Sequence, residues 1–181
     1  MSVLAANVLA LVIGSVAVAS EPREAPAPLA SSAAPLLDVP FVPQVKDTCA
    51  AAALAMVLGY WGTRISQDEI AAVLLQKELH GIPGSRLAQF ARERGFTAFA
   101  YAGDLGHLRQ YVGRGRPLIV ALTAGRGRFH NVVVVGFDPL RDALLVNDPA
   151  LGAARPLPVH EFEARWAGAD HWTLLVLPAP R

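Results

Sequence analysis

A single cysteine, Cys49, is all the sulfur nucleophile this 181-residue chain carries. One thiol cannot build an internal disulfide framework or a multi-cysteine zinc site. Excess charge is missing too: 16 Lys and Arg against 15 Asp and Glu leave a formal net charge of +1. With no long basic run, there is no electrostatic footprint for nucleic acid. The Gly-x-x-x-x-Gly-Lys-Ser/Thr loop that cradles nucleotide phosphates is absent. Gly113 and Gly115 in "VGRGRP" lack the strand-turn-helix setting of a dinucleotide fingerprint. No metal, cofactor or nucleotide is therefore expected. What the chain has in plenty is apolar residues, 53% of the total. Its length suits one domain that buries roughly 70% of the surface its unfolded chain would expose.

The first twenty residues, "MSVLAANVLALVIGSVAVAS", form an apolar run that ends in the small-x-small pattern Ala17-Val18-Ala19. Residues 1–20 read as a secretory signal peptide cleaved near Ala19 or Ser20. No Lys or Arg precedes the run, and at about seventeen apolar positions it also suits a short membrane anchor. Either way the domain is expected to be exported, periplasmic or secreted, with possible membrane attachment through this segment. Residues 21–36, including "EPREAPAPLASSAAP", are rich in Pro, Ala and Ser without apolar periodicity, and read as a disordered linker. The folded domain is then 37–181.

Within it, "LDVPFVPQ" reads as an extended entry, and a first helix is predicted from about Thr48 to Tyr60, capped by Thr48 or Asp47. Ser66 with Glu69 three residues on forms a capping box for a second helix. Further helices are predicted over "GSRLAQFARERG", capped by Ser85, and from Asp104 to about Val112. "FTAFAYA", "PLIVALTA", "HNVVVVGFDP", "DALLVNDPA" and "HWTLLVLP" read as strands, and "VHEFEARWA" as a late helix. Helices followed by an antiparallel sheet make an α+β domain.

Cys49 stands at the start of the first helix, where unpaired backbone N–H groups and the positive dipole end favour a thiolate. A nearby cationic imidazole would strengthen that effect. The same cysteine also reads as a small apolar packing residue in an alanine-rich helix. Asp47, if close, would oppose the thiolate. A cysteine nucleophile needs a base and a group to orient it. His80, His107 and His160 read as surface or packing residues. His130 differs: it opens a strand directly after the glycine-rich "AGRGRF" loop, where a sheet can aim an imidazole into a cleft. Asp148 sits at a similar place one strand later, and the turn near "DPLRD" can bring the two together. Gln44, just upstream of Cys49, can donate from its amide towards an oxyanion at an attacked carbonyl.

"VPFVPQVKDTCAAAALAMVLGYWG", "HNVVVVGFDP" and "VNDPALG" together resemble the bacteriocin-processing peptidases, papain-like cysteine peptidases that cut after double-glycine leaders. The resemblance runs from about Leu37 to Pro178 and includes "GIPGSRLAQFARERGF" between the two halves. It implies a papain-like fold, with a helical half packed on an antiparallel sheet. It also implies Cys49 as nucleophile, His130 as base, Asp148 as the residue orienting it, and Gln44 in the oxyanion hole. Ala50 stands where most members have glycine, which narrows the space beside the nucleophile. The sequence shows neither a transporter membrane domain nor a nucleotide-binding domain, so the implied member is stand-alone and exported. The expected partner is a peptide or protein substrate. A peptide-binding module and a non-proteolytic thiol acyl hydrolase or transferase on the same fold are the alternatives.

Overall fold

The computed structural model describes residues 36–125 and 127–180. The apolar run 1–20, and all but the last residue of the linker 21–36, lie outside the described residues. Among the described residues, no helix is long and apolar enough to cross a membrane.

Helix α1, Cys49–Tyr60, is the hub of the domain. Every residue from Ala50 to Leu58 is buried, so this helix has no solvent face along most of its length. Helices apolar all round are buried in just this way. Alanine suits the task, because it is the best helix former and lets neighbouring backbones approach closely. The far end is anchored by side chains: Tyr60 Oη donates to the Gly115 carbonyl at 2.9 Å, and Trp61 Nε1 to the Val176 carbonyl at 2.8 Å. Gly62, at φ +85°, turns the chain away through a conformation few other residues adopt. At the near end Thr48 provides no side-chain cap. Its hydroxyl instead bonds the Val45 carbonyl at 3.0 Å and Gln67 Oε1 at 2.8 Å, fixing the turn that leads into Cys49.

Helix α2, Gln67–Leu74, opens on the capping box expected from Ser66 and Glu69. Helix α3, Gly84–Glu93, has its N-cap two residues earlier than expected, at Pro83 rather than Ser85. The Pro83 carbonyl accepts from the amides of Arg86 and Leu87, so Ser85 already lies inside the first turn. Helix α4, Leu105–Gly113, is capped by Asp104, which accepts from the His107 amide at 2.8 Å. Helix α5 spans Val159–Ala167.

Among the described residues, six strands form one antiparallel sheet: β1 Phe96–Ala102, β2 Leu118–Thr123, β3 Phe129–Asp138, β4 Ala143–Asp148, β5 Gly152–Pro158 and β6 Trp172–Pro178. Their spatial order is β1-β6-β2-β3-β4-β5. The arrangement is α+β, although β1 falls between α3 and α4 rather than after all the early helices. β2 is buried at every position but Thr123, so the centre of the sheet is covered on both faces. β5 was not expected from the sequence. Its "GAARPLP" carries two prolines, tolerated because it lies at the sheet edge and pairs only with β4.

The entry segment is stitched to β3 and β4. A bulge between Val134 and Gly136 breaks the β3–β4 register, and the Val135 carbonyl beside it accepts from the Leu37 amide at 2.8 Å. Buried Asn147 then donates to the Val39 carbonyl at 3.1 Å and accepts from the Ala154 amide at 2.9 Å. Residues 37–44 are thereby laid along the sheet towards the start of α1.

Candidate active site

The start of α1, the start of β3 and the end of β4 converge at one edge of the domain. Antiparallel pairing of β3 with β4 does much of this. The two strands turn at the far end, through residues 138–142, so His130 and Asp148 both lie at the open end. His130 Nε2 meets Asp148 Oδ1 at 2.7 Å, with side chains 14% and 8% exposed. Asp148 Oδ1 also accepts from the Ala150 amide at 2.9 Å, which fixes the carboxylate in its own turn. With Nε2 held by Asp148, the other ring nitrogen is left for Cys49, whose thiol the imidazole lowers. Cys49 is the first residue of α1 and is partly exposed.

The electrostatics favour an ion pair. Burial alone pushes the Cys49 thiol up, but hydrogen bonds from His130 and Asn131 and the imidazole charge outweigh it, leaving the thiol below its ordinary 9.0. Burial likewise works against protonated His130, yet its bonds to Asp148 and Cys49 raise it to about 9. Asp148 is lowered: burial opposes its charge, and the bond to His130 more than compensates. Each group thus stabilises the charged form of its neighbour. Asp47, two residues before Cys49, turns its carboxylate to His80, Oδ2 to Nδ1 at 3.5 Å.

Gln44 joins the same cleft, of about 470 Å³, as Cys49, Ala50 and His130. Its backbone amide donates to the Pro149 carbonyl at 2.9 Å. Its side-chain Oε1 is buried without a hydrogen-bond partner. The structure therefore brings all four sequence-derived site residues into one place: Gln44, Cys49 and His130 on the cleft, and Asp148 behind the imidazole. His80 reaches the cleft wall, while His107 pairs with Asp104 on α4, Nδ1 to Oδ2 at 2.9 Å.

Sequence reasoning missed Asn131. It is 9% exposed, and its Nδ2 donates to Cys49 Sγ at 3.8 Å. The signal was available: an amide side chain ahead of four valines in a buried strand must find a polar partner.

The Peptidase_C39 like family model matches residues 36–172, which is most of the chain. The chain belongs to the Peptidase_C39-like family. Three solved structures show the C39 papain-like peptidase fold it shares. The peptidase domain of Streptococcus ComA, a bi-functional ABC transporter involved in a quorum sensing pathway, is 23% identical. That match has a TM-score of 0.66 and covers 76% of this chain and 97% of the other. A double glycine motif protease from an AMS/PCAT transporter, solved in complex with the leader peptide, is 25% identical. Its TM-score is 0.64, over 83% and 96% of the two chains. A candidate C39-like peptidase of Bacillus anthracis is 18% identical, with a TM-score of 0.64 over 80% and 96%. No curated protein sequence matches the chain. C39 membership agrees with the resemblance read from the sequence and supports a cysteine peptidase.

Proposed function

We propose that the chain hydrolyses peptide bonds through Cys49, His130 and Asp148. The observation that carries this reading is the line Asp148–His130–Cys49, with the sulfur opening on a cleft and the imidazole held at 2.7 Å from behind. The Cys49 thiolate attacks the carbonyl carbon of a bound peptide, and the carbonyl π pair moves onto oxygen. Gln44 Nε2 and the Cys49 backbone N–H donate to that oxyanion. When the intermediate collapses, the C–N bond breaks and His130 passes its proton to the departing amine. Water then attacks the thioester, His130 accepts its proton, and the new carboxylate leaves as the Cys49 thiolate returns. Asp148 keeps the ring in position throughout and stabilises its charge whenever it carries the second proton. Asn131 acts on the sulfur itself, as a hydrogen-bond donor to the resting thiolate.

A peptide is the substrate class the relatives support, since the double glycine motif protease was solved with its leader peptide bound. The apolar run at 1–20 supports export of the domain, by a cleaved signal or a retained anchor.

The test is incubation of the full chain with a proteome-derived peptide library, with products read by mass spectrometry. New peptide termini should accumulate with the wild type and vanish with Cys49→Ala. The same products from both proteins would end the peptidase reading.

A further inference from the structure

The catalytic cleft has a neighbour. A second cavity, of about 390 Å³, shares four of its wall residues with the cleft: Ile82, Pro83, Phe129 and Asn131. Asn131 is the hinge of the argument. Its side chain touches Cys49 Sγ at 3.8 Å and also lines the second cavity. The two spaces therefore lie one side chain apart, roughly two extended residues at about 3.3 Å each.

The second cavity exists because its floor is made of small residues. Ala121 lies directly opposite Asn131 across β2 and β3, while exposed Ala102, at the rim, lies directly opposite Trp172 across β1 and β6. Ala169 completes the floor, 6% exposed, while Ala121 is 8% exposed. The Trp172 indole forms the far wall, held there by Gly84 at the first turn of α3. A Cβ added at Gly84 would lie 2.4 Å from Trp172 Cζ2 and 2.5 Å from Cε2, so only glycine lets the ring lie flat on the helix start. The polar groups are few. The Asn131 amide is engaged with the sulfur, the hydroxyl of the lining residue Tyr101 is buried without a hydrogen-bond partner, and Asp170 is exposed at the rim.

We propose that this cavity is a side-chain subsite of the peptidase and takes a large apolar residue, aromatic or leucine-sized, one to three positions from the scissile bond. The inference rests on the peptidase reading above and gives it a substrate class: peptides carrying such a residue near the cut, not a glycine pair. Glycine there would leave the alkyl floor and the indole face in water. A side chain that fills the space removes both surfaces from water. Acidic side chains meet Asp170 at the rim and are disfavoured. A single methylene in an apolar pocket already changes kcat/KM by about tenfold to 200-fold, so an aromatic side chain against glycine should exceed tenfold.

The experiment uses the full chain and a peptide series placing Phe, Leu, Gly, Arg or Asp at each of three positions on either side of a cleaved bond. At one position Phe or Leu should exceed Gly by at least tenfold in kcat/KM. Ala121→Phe fills the cavity from its floor and Ala102→Trp from its exposed rim, and each should erase or reverse that ranking, with folding checked by circular dichroism. The exposed site of Ala102 keeps the test alive if Ala121→Phe fails to fold. Glycine equal to or better than Phe at every position, Arg best, or a ranking unchanged in the folded variants would each overturn the subsite. If no peptide is cut, the peptidase reading falls and the same series is read by protection of Cys49 from iodoacetamide. Protection by Phe peptides but not Gly peptides, lost in Ala102→Trp, supports the subsite, and equal protection overturns it.

Discussion

The Gln44 backbone amide and the Pro149 carbonyl are joined by a 2.9 Å hydrogen bond between the entry segment and the turn after β4. It couples the proposed oxyanion donor to the residue after Asp148, so donor and triad keep a common frame. Gln44→Ala leaves this backbone bond in place and removes only the side-chain amide. We expect kcat to fall by about 10²–10³ with KM little changed, the usual cost of one oxyanion donor. Gln44→Glu should not rescue it, because a carboxylate has no N–H to donate. Steady-state kinetics on a cleaved library peptide decide the point. A raised KM at constant kcat would mark Gln44 as a simple binding contact.

Cys49→Ala and His130→Ala should each abolish turnover, and the double variant should be no worse than either, because the two act as one proton-transfer unit. Asp148→Asn should cost less, since an amide oxygen can still hold the Nε2–H. Its signature lies in the pH profile. Without the carboxylate, the alkaline limit set by His130 should move to lower pH.

That alkaline limit follows from the raised imidazole. His130 stays protonated up to about 9, and Cys49 is deprotonated below its ordinary 9.0, so the reactive ion pair spans the interval between. Peptidase activity and iodoacetamide labelling should both rise at a pH well under that of a free thiol. Activity should then decline as pH passes about 9. The stability sign is the same for His130. Its folded value lies above the ordinary 6.5, so its contribution is complete below that pH and is lost as pH rises through about 9. Labelling centred at or above pH 9 would show that the sulfur is an ordinary buried thiol.

Asn147 offers a test of how the entry segment is held. Asn147→Ala leaves the Val39 carbonyl and the Ala154 amide without partners in a buried place. A loss of about 1–3 kcal/mol is expected in denaturant unfolding. Activity should fall with it, because Gln44 lies at the end of the loosened segment. Unchanged stability would mean that water replaces the amide.

The location of the domain is settled by intact-mass measurement on cell fractions. A chain beginning near Ser20 or Glu21 outside the cytoplasm indicates cleavage, and a full-length chain in membranes indicates the anchor. A full-length soluble cytoplasmic chain would defeat both.

How much was legible in the sequence depended on how local the cause was. The α2 capping box needs only Ser66 and Glu69, and it was readable. The strands that become β2, β3, β4 and β6 announce themselves through β-branched and leucine-rich runs. β5 did not, because edge strands are exempt from the rule that excludes proline from sheet centres. Ser85 misled because the start of α3 is set from outside, by the Trp172 ring lying on Gly84. In the site, the order Gln44, Cys49, His130, Asp148 was visible as motif. Asn131 was not, since its role depends on a cysteine 82 residues away. Asp47 looked like a threat to the thiolate by proximity in sequence, and only the fold shows its carboxylate turned to His80.

The burial of α1 has a consequence for how this protein can fail. Nine consecutive residues behind Cys49 are locked between sheet and helices, so the nucleophile is an extension of the core rather than a loop residue mounted on it. Sites carried on surface segments can loosen while the rest of a protein stays folded, which lets activity fade ahead of structure. Here that route is closed for the sulfur: α1 cannot fray from its first turn without opening the packing around Leu54, Met56 and Leu58. Thermal or denaturant inactivation should therefore coincide with global unfolding, and residual thiol reactivity at lowered pH becomes a direct gauge of how much of the population is still native.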